Sequence, residues 1–148
     1  MSRKIIEILI DNVNNNIINS IYFIAHKTNF IHISKETIKN YIEDNCHKVI
    51  IIKDDEHIVG FLIYFLLLEE IDIIFIATYP HNYGYGKDLL SYLFKYSKNN
   101  NIKKITLDLH ENNKLGKIFY TSNGFIQVAI RKLYYNNCFN AIIMEKEL

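Results

Sequence analysis

Proline, cysteine and tryptophan are nearly missing from this chain of 148 residues, which holds one Pro, two Cys and no Trp. Two thiols, Cys46 and Cys138, are too few for a disulfide framework, and nothing around them has metal-ligand spacing. The six His stand singly, so no metal site is expected. An excess of charge of one sign is lacking too. Seventeen Lys and Arg face sixteen Asp and Glu, a formal net charge of +1, which gives neither nucleic acid nor a membrane surface an electrostatic claim. No apolar run approaches the ~20 residues that span a bilayer. The run Ile58–Leu68 reads as a buried strand, and the first residues carry no apolar signal segment. The expectation is a single domain over 1–148, soluble, cytoplasmic, and a monomer or weak homodimer. At 49% hydrophobic it has material for a proper core.

Glycine is also scarce, five in all, yet Gly84 and Gly86 lie two residues apart. Before them Ile71–Ala77 is β-branched and apolar, as in a strand buried on both faces. After them Leu89, Leu90, Leu93, Phe94 and Tyr96 follow the spacing of a helix with one core face. A strand running through glycines into a helix N-terminus is a ready anion site. The loop amides are unobstructed, the first helical N–H groups are unpaired, and the dipole end is positive. A phosphate-bearing ligand held by Tyr83, Gly84, Tyr85, Gly86 and Lys87 is therefore expected. A P-loop would need Gly at His81 and Ser or Thr at Asp88, and a dinucleotide fingerprint would need Gly at Leu89. A tight connection without a ligand remains the competing reading.

Elsewhere the pattern predicts strands at Lys4–Ile10, Val49–Lys53, Ile58–Leu67, Ile102–Leu109, Phe125–Leu133 and Phe139–Lys146. Helices are expected after the Asn run at 14–16, after Ser34, and from about Lys114 to Ser122 with a core stripe of Leu115, Ile118 and Phe119. Asn123-Gly124 ends the last of these. The order β-α-α-β-β-β-α-β-α-β-β describes an α+β fold, a mixed sheet of six to seven strands flanked by about four helices.

H-x-x-G-x-G at His81–Gly86 resembles the Q/R-x-x-G-x-G/A loop with which GNAT acetyltransferases cradle the pyrophosphate of acetyl-CoA, with His in place of Arg or Gln. L-D-L-H-E-N-N-K-L-G-K-I-F-Y-T-S-N-G-F, residues 107–125, resembles the L-E-V-R-x-S-N-x-x-A-I-x-L-Y-x-x-L-G-F segment of RimI-type N-acetyltransferases without a gap. R-K-L-Y-Y at Arg131–Tyr135 and A-I-I-M-E at Ala141–Glu145 resemble that family's endings. The resemblance implies an acetyl-CoA-dependent enzyme acting on a protein N-terminal amine, possible substrates including a ribosomal protein.

By the same resemblance Asp108 stands where the family has its base and Tyr120 where it has the acid for the departing thiolate. Asn113 stands where the pantetheine arm is contacted, and Ile76 where a backbone N–H faces the acetyl carbonyl. His81 implies a weaker, pH-dependent grip on phosphate. Tyr134 and Tyr135 are candidates for gripping the acceptor. The bland readings are a solvated edge-strand carboxylate for Asp108, a core tyrosine for Tyr120, a helix cap for Asn113 and ordinary hairpin aromatics for the Tyr pair. The family's aromatic W-S-x-x-x-F segment is replaced by H-I-S-K-E-T-I at His32–Ile38. Two other functions stay open on these residues: acetylation of a small amine such as a polyamine, and an acyl-CoA-binding module with little turnover.

Overall fold

The computed structural model describes residues 2–148. Eleven elements follow in the expected order: β1 (Arg3–Ile8), α1 (Asn15–Ala25), α2 (Lys35–Glu43), β2 (His47–Asp54), β3 (His57–Leu67), β4 (Glu70–Thr78), α3 (Tyr85–Asn99), β5 (Lys104–His110), α4 (Lys114–Ser122), β6 (Ile126–Tyr135) and β7 (Phe139–Glu147). The strands form one mixed sheet in the order β1-β2-β3-β4-β5-β7-β6. Neighbours pair antiparallel except β4 and β5, which are parallel. α3 is the crossover a parallel pair requires.

Alternation along the strands builds a core on each face of the sheet. Ile50, Ile52, Leu62, Ile71, Ile105, Leu107 and Met144 pack with Leu89, Leu90 and Leu93 of α3. Val49, Ile51, Phe61 and Ile63 point the other way, against Ile17, Ile18, Ile21 and Ile24 of α1 and Ile38 and Ile42 of α2. Two of the helix starts are fixed by side chains that satisfy an otherwise unpaired first-turn amide. Asn14 Oδ1 accepts from Ile17 N at 2.9 Å, and Ser34 Oγ accepts from Thr37 N at 3.0 Å.

Four sequence expectations need correction. β4 is fully buried only near its start, and there on one face. Ile71 and Ile73 are buried, but Ile74 through Thr78 are half-exposed, because β4 pairs with β5 only as far as Ile73–Leu107 and then leaves it. α3 begins at Tyr85, so Gly86 belongs to its first turn. In α4, Leu115 and Ile118 are 82% and 66% exposed, and Tyr120 is the buried residue. Finally, β5 lies between β4 and β7, so Asp108 is not on an edge strand.

Candidate active site

The parting of β4 and β5 creates the site. Past Ile73 and Leu107 the two strands diverge, and a cleft of about 440 Å³ opens there. Its walls are the end of β4 (Ile76, Ala77, Thr78), the loop and first turn of α3 (His81, Asn82, Gly84 to Lys87), and α4 with its cap (Asn113, Gly116, Phe119, Tyr120, Asn123).

At one end lies the start of α3. Its N-cap is Gly84 at φ +80°, a left-handed conformation that a β-carbon would strain, and no side chain caps the helix. The first-turn amides of a 15-residue helix are thus left to face a ligand. Gly86 owes its identity to packing. A β-carbon there would stand 3.1 Å from Cζ of Phe119, so the close approach of the Phe119 ring to α3 depends on the missing side chain. Lys87 and His81 line the cleft, and His81 meets Tyr79 edge-on at 5.8 Å between ring centroids. The Tyr83 side chain is 54% exposed and stacks on Tyr85 at 5.7 Å, outside the cleft lining. Tyr85 is buried, and its hydroxyl donates to Asp54 Oδ2 at 2.6 Å. Tyr83 therefore shapes the loop from behind, while Tyr85, anchored on Asp54, lines the cleft with Gly84, Gly86 and Lys87.

On the second wall Asn113 caps α4 by accepting from Gly116 N at 2.9 Å. Its side chain folds so closely over Gly116 that a β-carbon there would lie 2.7 Å from Asn113 Nδ2. The face of α4 that turns inward is Gly116, Phe119, Tyr120 and Asn123, an i, i+3, i+4, i+7 set. Tyr120 is 7% exposed, lines the cleft, and touches Phe119 and Phe125 edge-on. Burial pushes its pKa far above that of free tyrosine, so the phenol stays protonated through the working range of pH.

Asp108 is the first β5 residue beyond the last pair with β4, and it points to the sheet face opposite Leu107 and Leu109. Tyr120 packs on the Leu107 and Leu109 face of the sheet and lines the cleft, whereas Asp108 lies on the other face and is not among the lining residues. Arg131 Nη1 stands 3.8 Å from Asp108 Oδ2. The Arg131 guanidinium lies over the Tyr134 ring at 5.4 Å. A bulge in β6 between Arg131 and Tyr135, with Leu133 at φ +54°, breaks the strand register just before the two tyrosines. Tyr135 stacks on His110 at 4.9 Å, and its pKa is pushed up to about 12 by burial and then by the charge of Asp108.

Two residues escaped the sequence reading. His110 lies at the centre of an aromatic cluster, with Phe30, Tyr135 and Phe139 at 5.0, 4.9 and 4.8 Å. It joins the α1–α2 loop to the β6–β7 hairpin, and its Nδ1 accepts from Asn112 N at 3.1 Å. Asp72 accepts from Thr106 Oγ1 at 3.2 Å, two register positions before Asp108 and so on the same face. Burial raises its pKa, and the nearby Asp108 raises it further. No periodic pattern marks either residue, since each acquires its setting from a neighbouring strand or loop.

The raised pKa of Asp72 has a definite sign in stability. The fold favours the protonated form, so this contribution is complete below the unfolded-state pKa and is lost as pH rises through the higher folded value. Asp72→Asn, which keeps an acceptor for Thr106, should therefore melt higher than wild type at pH 7 and the same at pH 3. For a half-buried group the gain is about 1 kcal/mol or less, ~2–4 °C in Tm. Thermal melts at the two pH values measure it.

Residues 15–125 match the model of the acetyltransferase (GNAT) family, and the chain belongs to that family. It is an acyltransferase of GNAT type. It is 32% identical over 97 residues to the [ribosomal protein bS18]-alanine N-acetyltransferase of Haemophilus ducreyi, across 62% of this chain and 67% of the relative. The ribosomal-protein-S18-alanine N-acetyltransferase of Escherichia coli has the same fold, with a TM-score of 0.84 at 20% identity over 99% of this chain and 94% of that one. The PaiA N-acetyltransferase of Thermoplasma acidophilum, solved in complex with coenzyme A, gives 0.78 at 21% identity over the whole of both chains. Among the described residues no helix is long and apolar enough to cross a membrane, and no cluster of His, Cys, Asp and Glu is arranged to hold a metal ion.

Proposed function

We propose that this chain, acting as one domain in the cytoplasm, transfers the acetyl group of acetyl-CoA to the α-amine of a protein or peptide N-terminus. The observation that carries the reading is the parting of β4 and β5, with an uncapped helix N-terminus and Tyr120 in the cleft lining and Asp108 outside it, the first β5 residue past the parting. The first-turn amides at Gly84 to Lys87, with Gly86 pressed against Phe119, suit the donor's pyrophosphate, and His81 adds a weaker hydrogen bond. Asn113 and Ile76 line the path a pantetheine arm would take. The bound donor supplies a thioester carbonyl, and the remaining work belongs to the chain.

The steps follow from the side chains. Asp108, directly or through a water it orders, takes the proton of the acceptor ammonium so that a neutral amine attacks the acetyl carbonyl. As the tetrahedral adduct expels the sulfur, Tyr120, held as a neutral phenol, donates to it a hydrogen bond and then a proton; the proton that the nitrogen sheds on becoming an amide returns to the phenolate through solvent. Attack is direct, since Cys46 and Cys138 are exposed and outside the cleft lining. Their free thiols also suit a reducing compartment.

An extended acceptor suits the aromatic rim of Phe30, His110, Tyr134, Tyr135 and Phe139, where a peptide's first side chains would pack. The relatives that act on bS18 make a ribosomal N-terminus the leading acceptor, and the altered segment His32–Ile38 directs the search beyond it. Release of coenzyme A, followed over a panel of N-terminal peptides and small amines, tests the reading. Turnover on peptides with a clear first-residue preference is expected. Turnover on small amines alone would sink the peptide reading, and binding without turnover would sink the catalytic roles.

A further inference from the structure

The glycine loop is gripped from outside the cleft by the first strand. Arg3 Nη2 donates to the carbonyl oxygen of Tyr83 at 2.7 Å, and Nη1 donates to Asp88 Oδ2 at 2.7 Å. The guanidinium lies 4.7 Å above the Tyr85 ring, and Nε is 4.0 Å from Asp54 Oδ2. Tyr85 is in turn buried and tied by its hydroxyl to Asp54. One side chain from β1, 80 residues away in sequence, thus holds the loop, the first turn of α3 and the end of β2 together.

We propose that Arg3 is a positioning residue for the donor's pyrophosphate, an inference that rests on the acetyl-CoA reading above. Two physical effects carry it. The first is orientation. In a trans peptide the C=O and N–H point in opposite directions, so fixing the Tyr83 carbonyl on Arg3 turns the Gly84 N–H away from Arg3. Gly84 lines the cleft and Arg3 does not, while a β-carbon on Gly84 would sit 3.7 Å from Arg3 Nη1.

The second effect is charge. Asp88 lies in the first turn of α3, where a carboxylate suits the helix dipole but repels an arriving diphosphate. Pairing with Arg3 offsets that charge while leaving the helix amides free. Arg3 itself is absent from the cleft lining, so it acts through the loop and not by touching the ligand.

The test compares affinity for coenzyme A, by titration calorimetry, among wild type, Arg3→Ala, Arg3→Lys and the double variant Arg3→Ala/Asp88→Asn. It adds KM and kcat for acetyl-CoA and for S-acetylpantetheine, which has the thioester arm without the pyrophosphate. Arg3→Ala is expected to weaken coenzyme A about tenfold, with kcat at saturating acetyl-CoA and KM for S-acetylpantetheine within about twofold. Removing Asp88 as well should recover part of the loss. Arg3→Lys should recover less than full affinity, because a single ammonium cannot match the planar fork that reaches both partners. Equal weakening of both donors would mean that Arg3 only supports the fold, and would overturn the proposal. So would coenzyme A affinity unchanged by Arg3→Ala. Wild type that binds no coenzyme A would overturn the donor assignment itself, whereas tight wild-type binding with an indifferent Arg3→Ala would sink Arg3 alone.

Discussion

Tyr120→Phe is expected to lower kcat about 100-fold while leaving KM for acetyl-CoA within about threefold. The phenol is the cleft's buried donor on the α4 side, and its ring is locked edge-on between Phe119 and Phe125. Removing only the oxygen keeps that packing, so the variant should fold and melt close to wild type. The raised pKa fixes the sign of the pH behaviour. A tyrosine whose ionisation is pushed upward by burial remains a donor around neutral pH, so a loss of rate just above neutrality belongs to another group. The same shift makes it a reluctant acid. Its first service is a hydrogen bond to the sulfur as negative charge builds there, and the proton follows as the bond to carbon breaks. Steady-state kinetics with saturating acceptor measure the effect. A kcat within threefold of wild type would leave Tyr120 as a packing residue.

The order of elements and the sites of glycine were legible because both follow from local rules. β-branched runs, the Ser34 cap, the capping Asn run at 14–16 (of which Asn14 is the cap) and the Asn123-Gly124 stop each constrain their own few residues. The errors arose where a remote element decides what is covered. Leu115 and Ile118 share a stripe as apolar as any in the chain, yet α4 turns Gly116, Phe119, Tyr120 and Asn123 inward. That face mixes glycine, aromatics and an amide because it borders a cleft. Ile71–Ala77 reads as doubly buried since its composition is uniform, and the divergence from β5 that uncovers its second half leaves no mark in composition.

The site follows the same division. Gly84 and Gly86 stand out in a chain with five glycines, and Asn113 and Tyr120 are in register with Gly124 and Phe125. His110, Asp72 and Arg3 have no such register. Their partners are Phe30, Thr106 and Tyr83, respectively 80, 34 and 80 positions away along the chain. Only the folded sheet brings them together. Distant pairs of this kind are what a local pattern is blind to.

Asp108 carries the second large effect. Asp108→Asn should lower kcat/KM for a peptide acceptor about 100-fold at pH 7, and Asp108→Glu should retain at least wild-type activity. A peptide α-amine has a pKa near 8, so roughly a tenth is neutral at pH 7. A carboxylate beside it both attracts the ammonium and accepts its proton. As pH rises the amine deprotonates without help, so the deficit of the Asn variant should shrink to about tenfold or less by pH 9. The position supports the role, because Asp108 is the first residue of β5 released from β4, where the strands open. Glu extends the same carboxylate by one methylene toward that opening. Stability is a poor alternative account. The contact with Arg131 is 3.8 Å long between partly exposed groups, and such pairs contribute ~1 kcal/mol or less. Should Asp108→Asn retain full activity at pH 7, the base must be sought elsewhere. Asp72, two register positions back on the same face with its pKa already raised, is then the carboxylate to replace. An Asp72→Asn variant that kept its rate as well would leave the proton to solvent.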